Sequence, residues 1–573
     1  MDAVVWREWH EKTLKLARKQ NKPIVLKIGA PWCHWCRVLE ETTFKDARVR
    51  QTIAEDFIPI SVDSDRRPDV NSRYNLGGWP TVAFLRPDGT LITGATFIPP
   101  DMMVRFLSDI KDHLAPDGKS AALTFPEVGV YRLEIKPSTP SMPLNDRILK
   151  HFHDLLVKHF DPVYGGFDGR PKFPMTQALA LALALAAEKD RLSLRILDES
   201  LRKMAESALF DQLDGGFFRY SANRDWSEPH TEKLLADQAE LALIYLDAFS
   251  LTGEPVFSEI AGRILDYLEK NLLKPFGRFC GSRQADEDYS RATPEERKTM
   301  AAPPIDETVF SGSNARAASA FIKADAVLCR ANAADIALKT LNNLFNHMRA
   351  RNGLFWHYSD DRTSGCLGLL GDQVNILLAL LDAYEASANA TFVTEAISLA
   401  NVIANRLLDR HSGTFFDRLP GREEIGALKS PYQPIDLNAR AAIAYSRLAG
   451  ITGNDKFKQT ARTALTGFSG DYKDLGLLSS EYGQAVDWLL SPVVEIFITG
   501  TRQAVVESEL WKTARSVYHP RKILIVNGQR SIKPPPSALK ETPSPAALIR
   551  VGDRRLEPIS EPGEFRARLK EAA

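Results

Sequence analysis

Apolar positions along the first 115 residues change period several times. Trp6–Lys19 repeats with helical spacing, and the apolar run Pro23–Ile28 reads as a buried strand. Pro31–Cys36 then opens another helical pattern, Phe57–Val62 reads as a strand, and a short helix follows Pro68. After Gly77-Gly78-Trp79-Pro80, the runs Thr81–Leu85 and Leu91–Thr96 flank Pro87-Asp88-Gly89, a hairpin signal, and Asp101–His113 closes the unit as a helix. This succession predicts an α/β sandwich with a mixed sheet over residues 1–115. Residues 116–143, rich in Pro, Ser and Gly, read as a linker.

From 144 to 492 the strand signal disappears and helical periodicity takes over. A Gly-x-Phe tripeptide recurs as Gly165-Gly166-Phe167, Gly215-Gly216-Phe217, Gly277-Arg278-Phe279, Gly353-Leu354-Phe355 and Gly413-Thr414-Phe415, with Gly476-Leu477-Leu478 as a degenerate sixth copy. Successive copies lie 50 to 76 residues apart, the size of a helical hairpin with its loop. Two amphipathic stretches separate each neighbouring pair, and Asp146–His159 in front with Glu481–Leu490 behind brings the number to twelve. Six hairpins predict a closed, two-layered (α/α)6 barrel over residues 144–492, with an open helical solenoid as the alternative. Residues 493–573 return to α/β character. Strand runs Val493–Thr499 and Lys522–Val526 bracket a helical stretch, Arg502–Val517, and proline-rich Lys533–Pro545 leads to a last strand, turn and helix over Ala547–Lys570. The predicted fold class is multidomain: an α/β unit, an all-α barrel and a small C-terminal α/β segment.

Composition narrows the function. Over 573 residues, 73 Lys+Arg balance 73 Asp+Glu, which removes the basic footprint of a nucleic-acid-binding protein. The start of the chain has scattered charges and no apolar core like that of a secretory signal, so a cytoplasmic location is expected. The most apolar window, Ala178–Ala187, is about half the length a bilayer requires, so no membrane association is expected. Five cysteines are too few for a disulfide-stapled scaffold, but Cys33 and Cys36 stand three residues apart.

A CxxC pair directly after a buried strand and at the start of a helix has a defined chemistry. Cys33 faces the unpaired amides of the helix N-terminus, which stabilise its thiolate and make it the nucleophile. Cys36, one turn on, is placed to resolve a mixed disulfide, and His34 adds positive charge. Metal binding competes as a reading, but zinc sites usually need four ligands and no second Cys/His cluster follows in this unit. No metal and no cofactor is therefore expected. Trp32-Cys33-His34-Trp35-Cys36 in this setting resembles a thioredoxin-fold active site, and Gly78-Trp79-Pro80-Thr81 stands where that fold carries its cis-proline loop. The resemblance implies a cis peptide at Pro80 and gives Trp32, His34, Trp35, Trp79 and Pro80 supporting places around the pair.

Further motifs extend the resemblance over most of the chain: Val62–Asp69, Pro171-Lys172-Phe173-Pro174, Asp211–Ser221 and Pro229-His230-Thr231-Glu232-Lys233. Together with the CxxC and the Gly-Gly-Phe turns they are similar to the spermatogenesis-associated protein 20 family. The resemblance implies a thioredoxin-like domain fused to a barrel like those of N-acylglucosamine 2-epimerases and six-hairpin glycosidases. Asp306-Glu307-Thr308-Val309 and Asn314 keep part of a family block, whereas Ser313 stands where the family usually has Trp, and Trp32 replaces a small polar residue.

Barrels of this type bind sugars at one open end, so Trp226, Glu228, His230 and Glu232 form a candidate site, with Asp306 and Asn314 beside it in the motif set. His230 is a candidate base, against the alternative that it caps a helix whose first turn contains Glu232. Asp286-Glu287-Asp288-Tyr289 reads as a solvated loop face, Trp356-His357 as turn packing, and Cys280, Cys329 and Cys366 as buried or isolated thiols. The first reading is a thiol-disulfide oxidoreductase whose barrel binds a substrate or partner, acting on a protein or small-molecule disulfide. The others are a carbohydrate-active enzyme, epimerase or glycosidase, with a redox regulatory domain, and a non-catalytic scaffold.

Overall fold

A computed structural model describes residues 4–114, 137, 142–360, 362–421, 424–430, 432–470, 472–526 and 545–572. The predicted linker and the proline-rich stretch after Val526 lie almost wholly outside the described residues. The chain divides into two compact units: Met1–Glu134 with Arg283–Asp286 and Arg418–Tyr432, and Ile135–Ser282 with Glu287–Asp417 and Gln433–Ala573.

The first unit runs α1 (Glu11–Gln20), β1 (Ile24–Gly29), α2 (His34–Glu41), α3 (Ala47–Asp56), β2 (Ile58–Asp63), α4 (Pro68–Tyr74), β3 (Thr81–Leu85), β4 (Leu91–Ala95) and α5 (Pro100–Leu114). The sheet order is β2-β1-β3-β4, parallel between β1 and β2 and antiparallel elsewhere. Strand alternation sends Ile24, Leu26 and Ile28 into a core with Leu14, Val70 and Tyr74, and Val25 into a second core with Leu39, Ile53 and Phe106. Covering both faces explains why β1 is apolar on both. The helix predicted from Trp6 starts only at Glu11, where the His10 side chain caps Lys12 N–H.

Segment Arg418–Tyr432 folds with this unit because it has apolar residues to bury there. Ile425 and Leu428 enter the Tyr74 core. The Tyr74 hydroxyl donates to Gly89 O at 2.7 Å and accepts from Ala427 N at 2.7 Å. A side chain at Gly89, which has φ +91°, would meet Gly426 Cα at 2.6 Å, so the two backbones need that glycine to approach.

The second unit is the helical barrel. Its inner ring consists of α7 (Thr176–Ala187), α9 (Leu235–Thr252), α13 (Ser311–Leu328), α15 (Leu370–Ser387), α17 (Ile435–Thr452) and α19 (Ser480–Leu490). The outer ring consists of α6 (Asp146–His159), α8 (Arg191–Glu206), α10 (Pro255–Tyr267), α14 (Ala333–Asn343), α16 (Ala390–Arg406) and α18 (Asp455–Thr466), while α11 (Glu287–Arg291) and α12 (Pro294–Arg297) are short loop helices. Each inner helix packs on the next, and α19 packs back on α7, so the ring is closed and the solenoid alternative falls away. Inner-face charges pair across a central cavity of ≈ 290 Å³: Arg316 with Glu240 at 2.7 Å, Arg440 with Glu481 at 2.7 Å, and Arg447 with Asp382 at 2.8 Å.

The Gly-x-Phe copies have a common architecture that periodicity could not display. In four of them the amide side chain at the fourth residue of the following inner helix grips the Phe backbone at both ends. Phe217 N–H donates to Gln238 Oε1 at 2.8 Å and Gln238 Nε2 donates back to Phe217 O at 2.7 Å. Asn314 does this for Phe279, Gln373 for Phe355 and Asn438 for Phe415. The close approach needs glycine: a Cβ at Gly216, φ +75°, would lie 2.8 Å from Gln238 Oε1. The sixth copy is not such a turn, since Gly476 has φ −90° and Leu478 is exposed.

Several predicted elements differ. Short ribbons, among them Tyr220–Ser221 with Pro229–His230 and Trp356–Ser359 with Ser364–Leu367, occupy loops where no strand was expected, because two to four residues carry almost no alternation signal. The outer helices α10 and α14 end at Tyr267 and Asn343 and continue into π-helical turns. In the C-terminal segment the strands Val494–Thr499 and Lys522–Val526 pair in parallel, and Ala546–Val551 adds antiparallel to the first. The single helix predicted there splits into α20 (Arg502–Glu507) and α21 (Glu509–Ser516) because the Ser508 hydroxyl caps Trp511 N–H, and α22 (Pro562–Ala572) closes the chain.

Asn438→Ala would leave the N–H of Phe415 and the carbonyls of Phe415 and Pro434 without the Asn438 amide. At about 1–3 kcal/mol per buried group left unpaired, urea unfolding should register a loss of roughly 2–4 kcal/mol. Gln459→Ala, on the exposed side of α18, should change it by less than about 0.5 kcal/mol. Equal losses in the two variants would refute the clamp.

Candidate functional site

Cys33 is the N-cap of α2. Its backbone is extended (φ −78°, ψ 115°), and its Sγ accepts the Cys36 N–H at 3.2 Å, so the sulfur occupies the place of a capping oxygen. The helix N-terminus thus acts on Cys33, which is nearly buried, while Cys36 is partly exposed. Both stand as thiols.

The residues around the pair are held by aromatic and polar contacts. Trp32 is buried, its Nε1 donates to Asp65 Oδ2 at 2.6 Å, and its ring meets Trp79 edge-on at 5.9 Å. Trp79 Nε1 donates to Asn71 Oδ1 at 3.2 Å, and the Trp79–Pro80 peptide is cis. Thr81 Oγ1 ties this loop to its own backbone, donating to Gly78 O at 2.8 Å and accepting from Leu76 N at 3.2 Å. Trp35 is 46% exposed and lies edge-on to Phe97, presenting an apolar surface beside the pair. His34 Nδ1 lies 3.4 Å from the Arg37 guanidinium, so the exposed rim of α2 carries a second basic group. The Ala285 N–H, from segment Arg283–Asp286, donates to Trp32 O at 3.3 Å.

One residue of this site escaped the sequence reading. Lys27 falls on the same face of β1 as Val25 and Gly29, beneath α2. Its ammonium pairs with Glu40 and sits 4.4 Å over the Trp6 ring. Burial pushes the Lys27 ammonium down to about 8, while Cys36 acts in the opposite direction. A polar residue at an inward position of an otherwise apolar strand was the available signal.

In the barrel, the predicted residues are placed differently from the expectation. Trp226 is wholly enclosed, with Nε1 donating to Tyr164 O at 2.9 Å and the Lys172 ammonium 4.9 Å from its ring, so it packs the loop instead of presenting a face to a ligand. His230 does not cap a helix: it lies in the ribbon Pro229–His230 and stacks on Tyr220 at 4.1 Å, and α9 begins five residues later at Leu235. Glu232 therefore precedes the first turn. Burial pushes its carboxyl up to about 7, with Arg219 at 3.6 Å opposing. Asp306 Oδ1 accepts from the Thr308 N–H and hydroxyl in a turn, and Asn314 is a clamp residue. The acidic stretch read as a solvated face forms α11 in part, with Tyr289 buried against Arg297 at 4.8 Å. Cys280 is buried, its thiol pushed up to about 11 by that burial; Cys366 is partly covered and Cys329 exposed.

A histidine–carboxylate pair was also missed. His357 Nδ1 lies 2.9 Å from Asp372 Oδ2, and the other Asp372 oxygen accepts from Gly312 N–H. Among the described residues no group of three or more His, Cys, Asp or Glu side chains is placed to hold a metal ion, and no helix is long and apolar enough to cross a membrane.

Residues 1–115 match the family described as Thioredox_DsbH, protein of unknown function, DUF255. Human spermatogenesis-associated protein 20 is 25% identical over 664 residues, covering 91% of this chain and 83% of the human protein. Over nearly its full length the chain is similar to spermatogenesis-associated protein 20. Its first unit is thioredoxin-like, and an 83-residue stretch is 30% identical to the thiol:disulfide interchange protein DsbD of Yersinia pestis, 14% of each chain. Among solved structures, a cellobiose 2-epimerase from Bacillus thermoamylovorans is similar over 56% of this chain and 86% of its own, with 12% identity and a TM-score of 0.45.

The Glu232 carboxyl links this loop to pH. Its folded value near 7 lies above the ordinary 4.5, so the folded state favours the protonated form. Its stability contribution is complete below about 4.5 and is lost as pH rises through 7. Glu232→Gln should therefore flatten the pH dependence of unfolding between 4.5 and 8. At pH 8 it should gain on the order of 3 kcal/mol, read from urea midpoints; an unchanged slope would contradict the assignment.

Proposed function

We propose that this protein is a thiol-disulfide oxidoreductase in which Cys33 is the nucleophile and Cys36 the resolving thiol, with the barrel binding a substrate or partner. The observation that carries the reading is the Cys33 sulfur at the N-cap of α2, accepting the Cys36 amide. A helix N-terminus stabilises negative charge on that sulfur and leaves Cys36 one turn away. The named activity of the DsbD relative, thiol:disulfide interchange, supports it for the first unit.

In the reductive direction, the Cys33 thiolate attacks one sulfur of a substrate disulfide, forming a mixed disulfide and expelling the other sulfur as a thiolate, which takes up a proton. Cys36 loses its proton and attacks Cys33 Sγ, breaking the mixed disulfide and releasing the second substrate thiol. Two electrons pass from the dithiol to the substrate, and an external dithiol returns the Cys33–Cys36 disulfide to its starting form. The reverse sequence oxidises a substrate dithiol. Trp35 and the Trp79–Pro80 loop give an incoming chain an apolar edge and a fixed backbone beside the sulfur.

A second reading, a carbohydrate-active barrel, is favoured by one cluster. Phe173, 39% exposed, stacks on Tyr220 at 4.5 Å, and Tyr220 stacks on His230, near a Glu232 carboxyl that titrates close to neutrality. Such a platform suits a pyranose face, with His230 and Glu232 for proton transfer. Turnover of an aldose or glycoside retained in His230→Ala would remove that residue from such a mechanism.

The redox reading is tested with a disulfide reporter and a trap. Cys33→Ser should abolish reporter reduction, and Cys36→Ser should accumulate a mixed disulfide with the substrate that non-reducing mass spectrometry identifies. Undiminished reduction by Cys33→Ser would end the proposal.

A further inference from the structure

Resting on the redox reading, we infer that Lys27 is the electrostatic partner of Cys36, holding the resolving thiol in an ionisable state inside the fold, with Glu40 as the counter-charge that sets its strength. The inference stands on geometry first. Alternation along β1 points Val25, Lys27 and Gly29 to the face beneath α2. The Cys36 sulfur lies directly over this line, since a Cβ on Gly29 would be only 3.0 Å from Cys36 Sγ. Gly29 leaves room for the sulfur, and Lys27 is the next side chain along the same face, two residues away.

The Lys27 side chain cannot reach open water easily. It is 15% exposed, paired with Glu40 of α2, and covered by Trp6 at 4.4 Å and Phe44 at 5.7 Å. A lysine in such a place costs free energy, and burial does push its ammonium down, while the neighbouring Cys36 works the other way. That mutual stabilisation of ammonium and thiolate is the property the resolving step needs. Cys33 has the helix N-terminus to stabilise its charge, whereas Cys36 is already inside the helix and donates its own N–H to Cys33.

The other charged or titratable groups nearby are accounted for. On α2 they are His34 and Arg37, both at the exposed rim and facing each other, Glu40, and exposed Glu41 at the helix end. Strands β2 and β3 place Ser61 and Val82 opposite Lys27, neither of which titrates near neutrality. Asp63 ends β2 opposite Gly29, where its Oδ1 accepts the Asp65 N–H, and Asp65 is bound to the Trp32 indole. In the resolving step the Cys36 S–H proton leaves to solvent, the thiolate forms beside Lys27, and its electron pair makes the bond to Cys33 Sγ as the substrate thiolate departs.

The test measures Cys36 ionisation directly and needs no turnover. In full-length Cys33→Ser protein, the rate of Cys36 alkylation by iodoacetamide is followed by peptide mass spectrometry from pH 5 to 10. Adding Lys27→Met should raise the midpoint by about one pH unit, an opposite charge nearby typically being worth one to three, and so slow alkylation at pH 7 about ten-fold. Lys27→Arg should hold the midpoint, and Glu40→Gln should lower it by removing the negative charge that competes for Lys27. A purely structural role would move the melting temperature and leave all four midpoints together, and that result overturns the inference. Should Lys27→Met fail to fold, the Lys27→Arg and Glu40→Gln shifts decide it, and an unchanged Glu40→Gln midpoint then counts against it. Reporter reduction by the wild-type chain is measured alongside. Midpoint shifts without any reduction sink the redox reading and keep the Lys27–Cys36 coupling, whereas reduction without shifts sinks only the coupling.

Discussion

The barrel depends on how a chain can turn tightly between helices while its backbone is buried. A turn that buries its own N–H and C=O must pair them. Four corners solve the problem identically. An amide side chain, one donor and one acceptor on a planar fork, matches the N–H and C=O of a single residue, and a position in the first turn of the next inner helix aims it at them. The Phe ring can then enter the core: Phe217 stacks on Tyr245 at 5.6 Å and Phe415 packs on Tyr445 at 5.6 Å. Those tyrosines donate to Leu201 O and Ala400 O, carrying the inner helix onto the outer one.

The Cys33–Cys36 site uses a different arrangement, in which a sulfur takes a place at a helix end. Cys33 replaces the usual Ser, Thr, Asp or Asn at a helix N-cap, so a sulfur accepts the hydrogen bond that an oxygen ordinarily accepts at a helix end. Trp6 and Phe44 cover the Lys27 ammonium beneath α2 and leave it 15% exposed. This makes the strand face below α2 decisive. A small residue at 29 and a cation at 27 are compatible with a sulfur at 36, whereas a bulky apolar residue at 29 would displace it.

Legibility in the sequence followed the length of each signal. Twelve helices, a mixed four-stranded sheet and the Cys33–Cys36 setting were readable because their patterns extend over many residues or combine an unusual spacing with a helix start. The arrangement of the loop before α9 was not readable. His230 and Glu232 lie close before an amphipathic run, which suggests a helix cap, but the ribbon with Tyr220–Ser221 claims Pro229–His230 and delays the helix to Leu235. Trp226 reads as a ligand-facing aromatic until its indole is seen bonded to Tyr164 O. Asn314 was picked out by motif alone; its role becomes visible only once Gln238, Gln373 and Asn438 are found at the same helix position. The His357–Asp372 pair joins residues 15 apart in sequence through a ribbon that no local pattern announces.

The two helices at which the ring closes lack the clamp, and their sequences account for the difference. The fourth residue of α7 is Leu179 and that of α19 is Gly483, neither of which can bond a backbone through its side chain. At Gly483 a Cβ would lie 3.0 Å from the Phe152 ring of α6, so glycine there permits a helix contact that a side chain would tighten unless the ring gave way. Gln484, the next residue, donates across to Gln177 O on α7 at 3.2 Å, and Tyr482 donates to Leu465 O at 2.9 Å. Four of the turns are held by an amide side chain from the inner helix that follows. At the seam, where the partners are distant in sequence, close packing and one cross-helix amide take over the same task of holding neighbouring helices in register.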